Sequence, residues 1–243
     1  MKTPIANLTK TTLLATALLL GAGSLTRADG RDSNPGILPP HAQAYGETYG
    51  QWAADWWTWA LSIPSEINPL NDTTGAYAAV GQHGPVWFLA GSTASAAVTR
   101  NVTVPDGKAL FFPIINTLWW TAPTDPPTSL ADILSALAGV TADITNLSCT
   151  IDGVAVKHLE KYLTTSPVFS LTAPAVNVLN LPTPGVYTPN VDEGFYLMLA
   201  PLRAGQHTIH FTGSSPDMGY SLDITYHLTV QPPPHHGPGP AWD

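Results

Sequence analysis

The chain has 243 residues, with 24 Pro, 20 Gly and one Cys, and only 11% of it is charged, under half of the usual ~25%. That composition excludes a coiled coil, a long-helix protein and a charge-rich disordered chain, while 44% hydrophobic residues suffice for a sizeable core. The net charge of -8 argues against a nucleic-acid partner, because phosphate binding needs clustered Lys and Arg.

In chain order, Lys2 and Lys10 precede an apolar run from Leu13 to Gly23 and the small-residue pattern Thr26-Arg27-Ala28. That order predicts a secretory signal peptide over residues 1–28. A membrane anchor or buried helix is the alternative, but the run is shorter than the ~20 apolar residues a bilayer requires. No Cys follows it for a lipoprotein anchor, and no second segment approaches spanning length. The expectation is a soluble protein, secreted or periplasmic, without a membrane span. Loss of the leader removes Lys2, Lys10 and Arg27 and leaves six basic residues against 17 acidic, a net charge of -11. Such a surface repels anionic polymers and lipid headgroups and suits neutral ligands, sugars or cations. Cys149 has no partner for a disulfide within the chain. It reads as a buried small hydrophobe, or otherwise as a reactive or intermolecular thiol.

Residues 29–41 read as a flexible lead-in. Residues 42–61 carry a helical pattern in which Tyr45, Tyr49, Trp52, Trp56 and Trp59 fall within an arc of about 80°. Glu47 and Asp55 share the polar wedge, and Pro64 ends the element. Turn signals follow to Gly84. Strands are expected near 86–90, 97–104, 108–115, 144–151, 154–158, 168–171, 194–199, 206–212 and 220–230, with one short helix at 129–138 capped by Ser129. Residues 220–230 alternate apolar and polar without a fault. Their expected partner is 206–212, in a register that buries Ile209, Phe211, Leu222 and Ile224 and sets His210 opposite Asp223 or Ser221. The fold class is therefore mainly β: an antiparallel β-sandwich of immunoglobulin-like or jelly-roll type, with an aromatic-rich N-terminal helix packed on it. It forms one domain over 42–231, or else two lobes joined near 121–127. The Pro-rich end, 232–243, reads as a disordered tail.

The segments YGQWAADWWTWALSIP, NPLNDTTG, GQHGPVWFLAG, GKALFFPIIN, CTIDGVAV and LAPLRAGQHTIHFTG resemble a group of uncharacterised secreted bacterial proteins. That resemblance covers most of the chain after the leader and implies export and a single-unit fold, with no catalytic residues attached. LRAGQHTIHF and the strand ending in YHLTV also resemble the last hairpin of immunoglobulin-like sandwiches.

The sequence contains no GxSxG, HExxH, P-loop, CxxC or GxGxxG motif. No metal or other cofactor is expected: His207 and His210 point to opposite faces of a strand, and His235-His236 sits in the tail without a fixed third ligand. The aromatic residues are the distinguishing chemistry. Trp52, Trp56, Trp57 and Trp59 on the helix, with Trp87 and the pair Trp119-Trp120, could stack on a sugar or apolar ligand. The same spacing also serves a core, yet Trp is seldom wholly enclosed, so at least one should line a groove. Glu47 and Asp55, eight residues apart, would stand roughly 12 Å apart along a helix. That is too far for either glycosidase geometry. Asp55, His83 and Arg100 are the catalytic candidates, as acid or base, base, and anion holder, although Arg100 also suits an ion pair with Asp72 or Asp106. The function expected first is binding of an uncharged small molecule or glycan through an aromatic groove. The alternatives are a secreted hydrolase or lyase built on Asp55, His83 and Arg100, and a structural envelope or matrix protein. The oligomeric state is left open.

Overall fold

A computed structural model describes residues 35–94, 96–181 and 184–232, which lie in one compact unit within Asp32–Asp243. The leader, residues 29–34 of the lead-in and the tail beyond 232 lie outside the described residues. The fold is mainly β. Two five-stranded sheets pack face to face, and a helix covers the outer side of the first.

Helix α1 spans Tyr49–Ser62. It starts seven residues later than the periodicity predicts, because Thr48 caps it. The Thr48 hydroxyl accepts from Gln51 N while Gln51 Oε1 accepts from Thr48 N, a capping box that satisfies two end amides at once. Upstream, Tyr45 and Gly46 adopt positive φ of 56° and 92°, which turns the chain away from the helix axis. At the other end the Asn68 amide donates to the Ala60 and Ile63 carbonyls before Pro64 can continue the ladder. The lead-in is ordered where it is described: Leu38 N donates to Met198 O and Ala200 N to Gly36 O, so residues 36–38 dock on the first sheet instead of moving freely.

The first sheet runs β1 (Val86–Phe88), β3 (Ala109–Trp119), β8 (Gly185–Leu199) and β6 (Leu163–Thr165), with β7 (Phe169–Ala173) also pairing β8. The second runs β2 (Val98–Pro105), β10 (Tyr220–Gln231), β9 (Gly205–Ser215), β4 (Thr145–Ile151) and β5 (Val154–Ala155). Two pairs depart from the expected antiparallel order, since β1 joins β3 and β2 joins β10 in parallel. Phe112 stacks on Phe211 across the sandwich at 5.3 Å between ring centres. Phe111 and Tyr196 stack at 5.2 Å, and Tyr49 of α1 meets Phe111 edge-on. Helix α2 (Leu130–Ala142), with Ser129 as its cap, packs Ile133 and Leu137 on Val191 and Trp119, so the chain after β3 folds back onto the same unit. Cys149 is buried and free, and burial pushes its thiol up to about 12, the inert state of an enclosed small hydrophobe.

The terminal hairpin keeps the expected parity and shifts register. Ile209, Phe211, Leu222 and Ile224 are buried, but Phe211 pairs with Ile224 and His210 with Thr225. Asp223 reaches His210 diagonally at 2.9 Å. His207 lies at the sheet end, held between Asp152 Oδ2 at 2.7 Å and the Arg203 carbonyl at 2.8 Å. Two acceptors require both ring nitrogens to donate, which only the imidazolium does. Partial burial pulls its pKa down, but the Asp152 hydrogen bond, the Arg203 carbonyl and the Asp152 charge outweigh that and raise it. Asp152 is also partly desolvated, yet the His207 bond and the Thr208 amide lower its pKa. The His207 contribution is complete below about pH 6.5 and is lost as pH rises through the elevated folded value. The Asp152 contribution is complete above about pH 4 and is lost as pH falls. In paired thermal melts, His207→Ala is expected to cost about 1 kcal/mol near pH 5.5, because Asp152 is half exposed and screened, and less above pH 8. A cost that does not vary with pH would refute the charged pin.

Candidate functional site

Four indole N–H groups leave α1 in four directions, and each ends on a different segment. Trp52 donates to the Ala44 carbonyl at 2.9 Å, Trp56 to Leu89 at 3.0 Å, Trp59 to Val80 at 2.9 Å and Trp57 to Asp192 Oδ1 at 2.5 Å. All four side chains are at most 8% exposed. The stripe therefore forms no open platform; it cross-links the chain around the helix.

Two of these links build a cleft. Trp52 holds the turn Ala44–Glu47 on one side and Trp59 holds the loop before Gly81 on the other, two turns along the same helix face. Between them lies a cavity of about 440 Å³ walled by Tyr45, Glu47, Asp55, Trp59, His83 and Phe88. Gly81 has φ of 70°, and a Cβ there would stand 3.1 Å from the Trp59 ring, so the loop can close on the indole only with glycine. Gln82, between the two glycines, clamps the loop to β1. Its amide donates to the Ala78 and Phe88 carbonyls and its oxygen accepts from Phe88 N.

The cleft holds a carboxyl pair. Because α1 begins at Tyr49, Glu47 is not two helical turns from Asp55; it folds back beside it. Glu47 Oε2 is shielded from solvent and meets no hydrogen-bond donor. Burial, then the Asp55 charge, then a hydrogen bond with Asp55 raise the Glu47 pKa. The ~12 Å separation expected from periodicity is thus corrected by the position of the cap. His83 stands on the opposite loop, with Nδ1 3.0 Å from the Gly81 carbonyl. In the neutral ring Nδ1 donates there, which leaves Nε2 as the acceptor.

Arg100 does not join Asp55 and His83. It is 1% exposed on β2, with Nε donating to the Asp72 carbonyl at 2.7 Å, Nη1 to Ala90 O at 2.8 Å and Tyr226 OH at 2.5 Å, and Nη2 to Gly91 O at 2.8 Å. It pins the loop ahead of β2 to the second sheet and makes no ion pair with Asp106. The Asp72 carboxylate is spent on a turn, accepting from the amides of Thr74, Gly75 and Tyr77. Burial works against its charge, but these donors hold its pKa below the usual value.

The remaining aromatic candidates are dispersed. Trp56 and Trp57 border a second cavity. Trp87 is buried in the core with an unpaired N–H, Trp119 packs against α2, and Trp120 is 37% exposed, edge-on to Tyr187. A buried acid absent from the sequence-level candidates also emerges. Asp192 is 0% exposed, and burial pushes its pKa well up against the opposing hydrogen bonds of Trp57, Tyr196 and Asn116. The only trace of Asp192 in the sequence is an acid pair inside an otherwise apolar strand. Among the described residues no group of three His, Cys, Asp or Glu could hold a metal ion, and no helix is long and apolar enough to cross a membrane. No family model, curated protein or solved structure matches the chain.

Proposed function

We propose that the chain is an exported protein that binds an uncharged, hydroxyl-bearing ligand, a glycan unit being the class that fits, in the cleft of Glu47 and Asp55. The observation that carries this reading is that the carboxyl groups of Glu47 and Asp55 line one cavity of about 440 Å³ with aromatic walls. Carboxyl oxygens accept from sugar hydroxyls, while the Tyr45 ring, 42% exposed, and the edges of Trp52 and Trp59 offer apolar surface to a sugar face. The wall has no Lys or Arg, which agrees with a neutral ligand rather than an anion. The test is titration of the intrinsic Trp fluorescence with a panel of neutral mono- and oligosaccharides. Saturable binding by at least one sugar is expected, with a loss of tenfold or more in Asp55→Ala and Glu47→Ala. No saturable response to any sugar overturns the reading.

A second reading, hydrolysis in the same cleft, is favoured by one observation: Glu47 keeps its proton above the usual carboxylate range beside a second acid and a histidine. A carboxylate that takes a proton from water and a carboxylic acid that gives one to the leaving group are the two halves of such a reaction. Release of reducing ends by the wild type, lost in both Glu47→Gln and Asp55→Asn, separates this reading from binding alone.

A further inference from the structure

A second cavity, of about 290 Å³, shares no lining residue with the cleft. It lies between Trp56 and Trp57 of α1, Leu70, Asn116 of β3, Leu179 and Leu222 of β10. It opens to solvent beside Leu179, which is 36% exposed. Gly91 keeps it open. A Cβ built there would stand 3.9 Å from both Leu70 Cδ2 and Leu222 Cδ1, ordinary contact, and its backbone is not in the positive-φ region that requires glycine. A side chain starting from this position would therefore be directed among the residues that line the space.

The polar side of the cavity is fixed from behind. Asn116 Nδ2 donates to the Tyr196 hydroxyl at 2.6 Å, and Trp57 Nε1 donates to Asp192 Oδ1, and neither acceptor residue lines the cavity. Behind them Asp192 is fully buried, and its Oδ2 has no hydrogen-bond partner. The Asn116 amide is thereby oriented, with Oδ1 left as an acceptor. Tyr220 spends its hydroxyl on the Ser92 carbonyl. No Lys, Arg, His, Asp or Glu lines the space.

The geometry points to a second binding site, for a neutral, flat, largely apolar molecule of two fused rings carrying one O–H or N–H donor. Size comes from volume: an apolar cavity of about 150 Å³ accepts benzene, and this one is about twice that. The rings lie along the apolar lining between Trp57, Leu179 and Leu222, and the donor meets Asn116 Oδ1. An anionic head would enter a wall without a cation, so it is refused.

The probe is 2-naphthol, with naphthalene-2-sulfonate as its charged counterpart, titrated by calorimetry at pH 7 into the full chain. Binding of 2-naphthol on the order of 10 µM is expected, with the sulfonate at least tenfold weaker. Gly91→Val should abolish the 2-naphthol signal and leave the melting temperature equal or higher. Should that variant not fold, Leu179→Trp fills the same space from the rim. Asp55→Ala, in the separate cleft, should bind 2-naphthol as the wild type does. Absence of saturation with 2-naphthol, equal binding of the sulfonate, or binding unaffected in the filled variants overturns the proposal, while the cleft reading stands or falls on its own sugars.

Discussion

Trp56→Ala is expected to lower the unfolding free energy by about 3–5 kcal/mol in urea titrations, the range for deleting a large buried aromatic. The side chain is 1% exposed. It meets Trp57 edge-on at 5.0 Å and Trp59 at 6.0 Å, and it donates to the Leu89 carbonyl just beyond β1. Removal opens a hole at the centre of the indole network and orphans a buried carbonyl together. Trp56→Phe keeps most of the volume and loses only the N–H, so it should cost roughly 1–2 kcal/mol. A Trp56→Ala protein as stable as wild type would mean that the helix is a surface element.

Arg100→Met is expected to cost about 2–6 kcal/mol, because two buried carbonyls are left without a donor at about 1–3 kcal/mol each. The substitution keeps the apolar stem and removes the fork. The Asp72 and Gly91 carbonyls lose their donor, while Ala90 keeps the Tyr226 hydroxyl at 2.7 Å. Arg100→Lys should recover less than half, since one ammonium cannot reach acceptors spread over a guanidinium plane. For a unit of about 200 residues the loss corresponds to a drop of roughly 10 °C in Tm. Because Arg100 stands outside the cleft, the folded fraction of Arg100→Met should keep the wild-type ligand affinity. A stable protein with lost binding would return Arg100 to the site.

The hairpin shows how far pattern reaches. Alternation over 220–230 decides which side chains go inward, because a one-residue slip would bury Ser221 and Asp223. It does not decide between registers two residues apart. The turn formers from Gly213 to Gly219 suggest a long loop, yet Gly213, Ser214 and Ser215 belong to β9 and the turn is only Pro216–Gly219. The reason lies in the other sheet: a Cβ at Gly213 would stand 2.9 Å from Ile115 Cγ2, so this glycine serves close approach between sheets. That contact carries the strand past its apparent end and moves Phe211 from Leu222 to Ile224.

The candidate site shows the same division. Asp55 and His83 line one cleft, but Glu47 joins them only because Thr48 caps the helix and leaves Glu47 outside it. The Thr48-x-x-Gln51 pattern and Gly46 signal that start in the sequence; an apolar arc read across 42–61 hides it, since Tyr45 fits the arc without being helical.

By itself the sequence determined the mainly β class, the buried parity of the last strands, the aromatic helix and the stop at Pro64, because each follows from local period, branching or a missing N–H. Only the tertiary structure decided which carbonyl or carboxyl each indole reaches, that Glu47 rests against Asp55, and that Arg100 and Asp192 are enclosed. Those outcomes depend on segments up to 135 residues apart, as between Trp57 and Asp192, being brought together by burial. Burial of apolar area is not directional. The hydrogen bonds that then have to be satisfied in its interior are directional, and they select one arrangement from the many that the pattern allows.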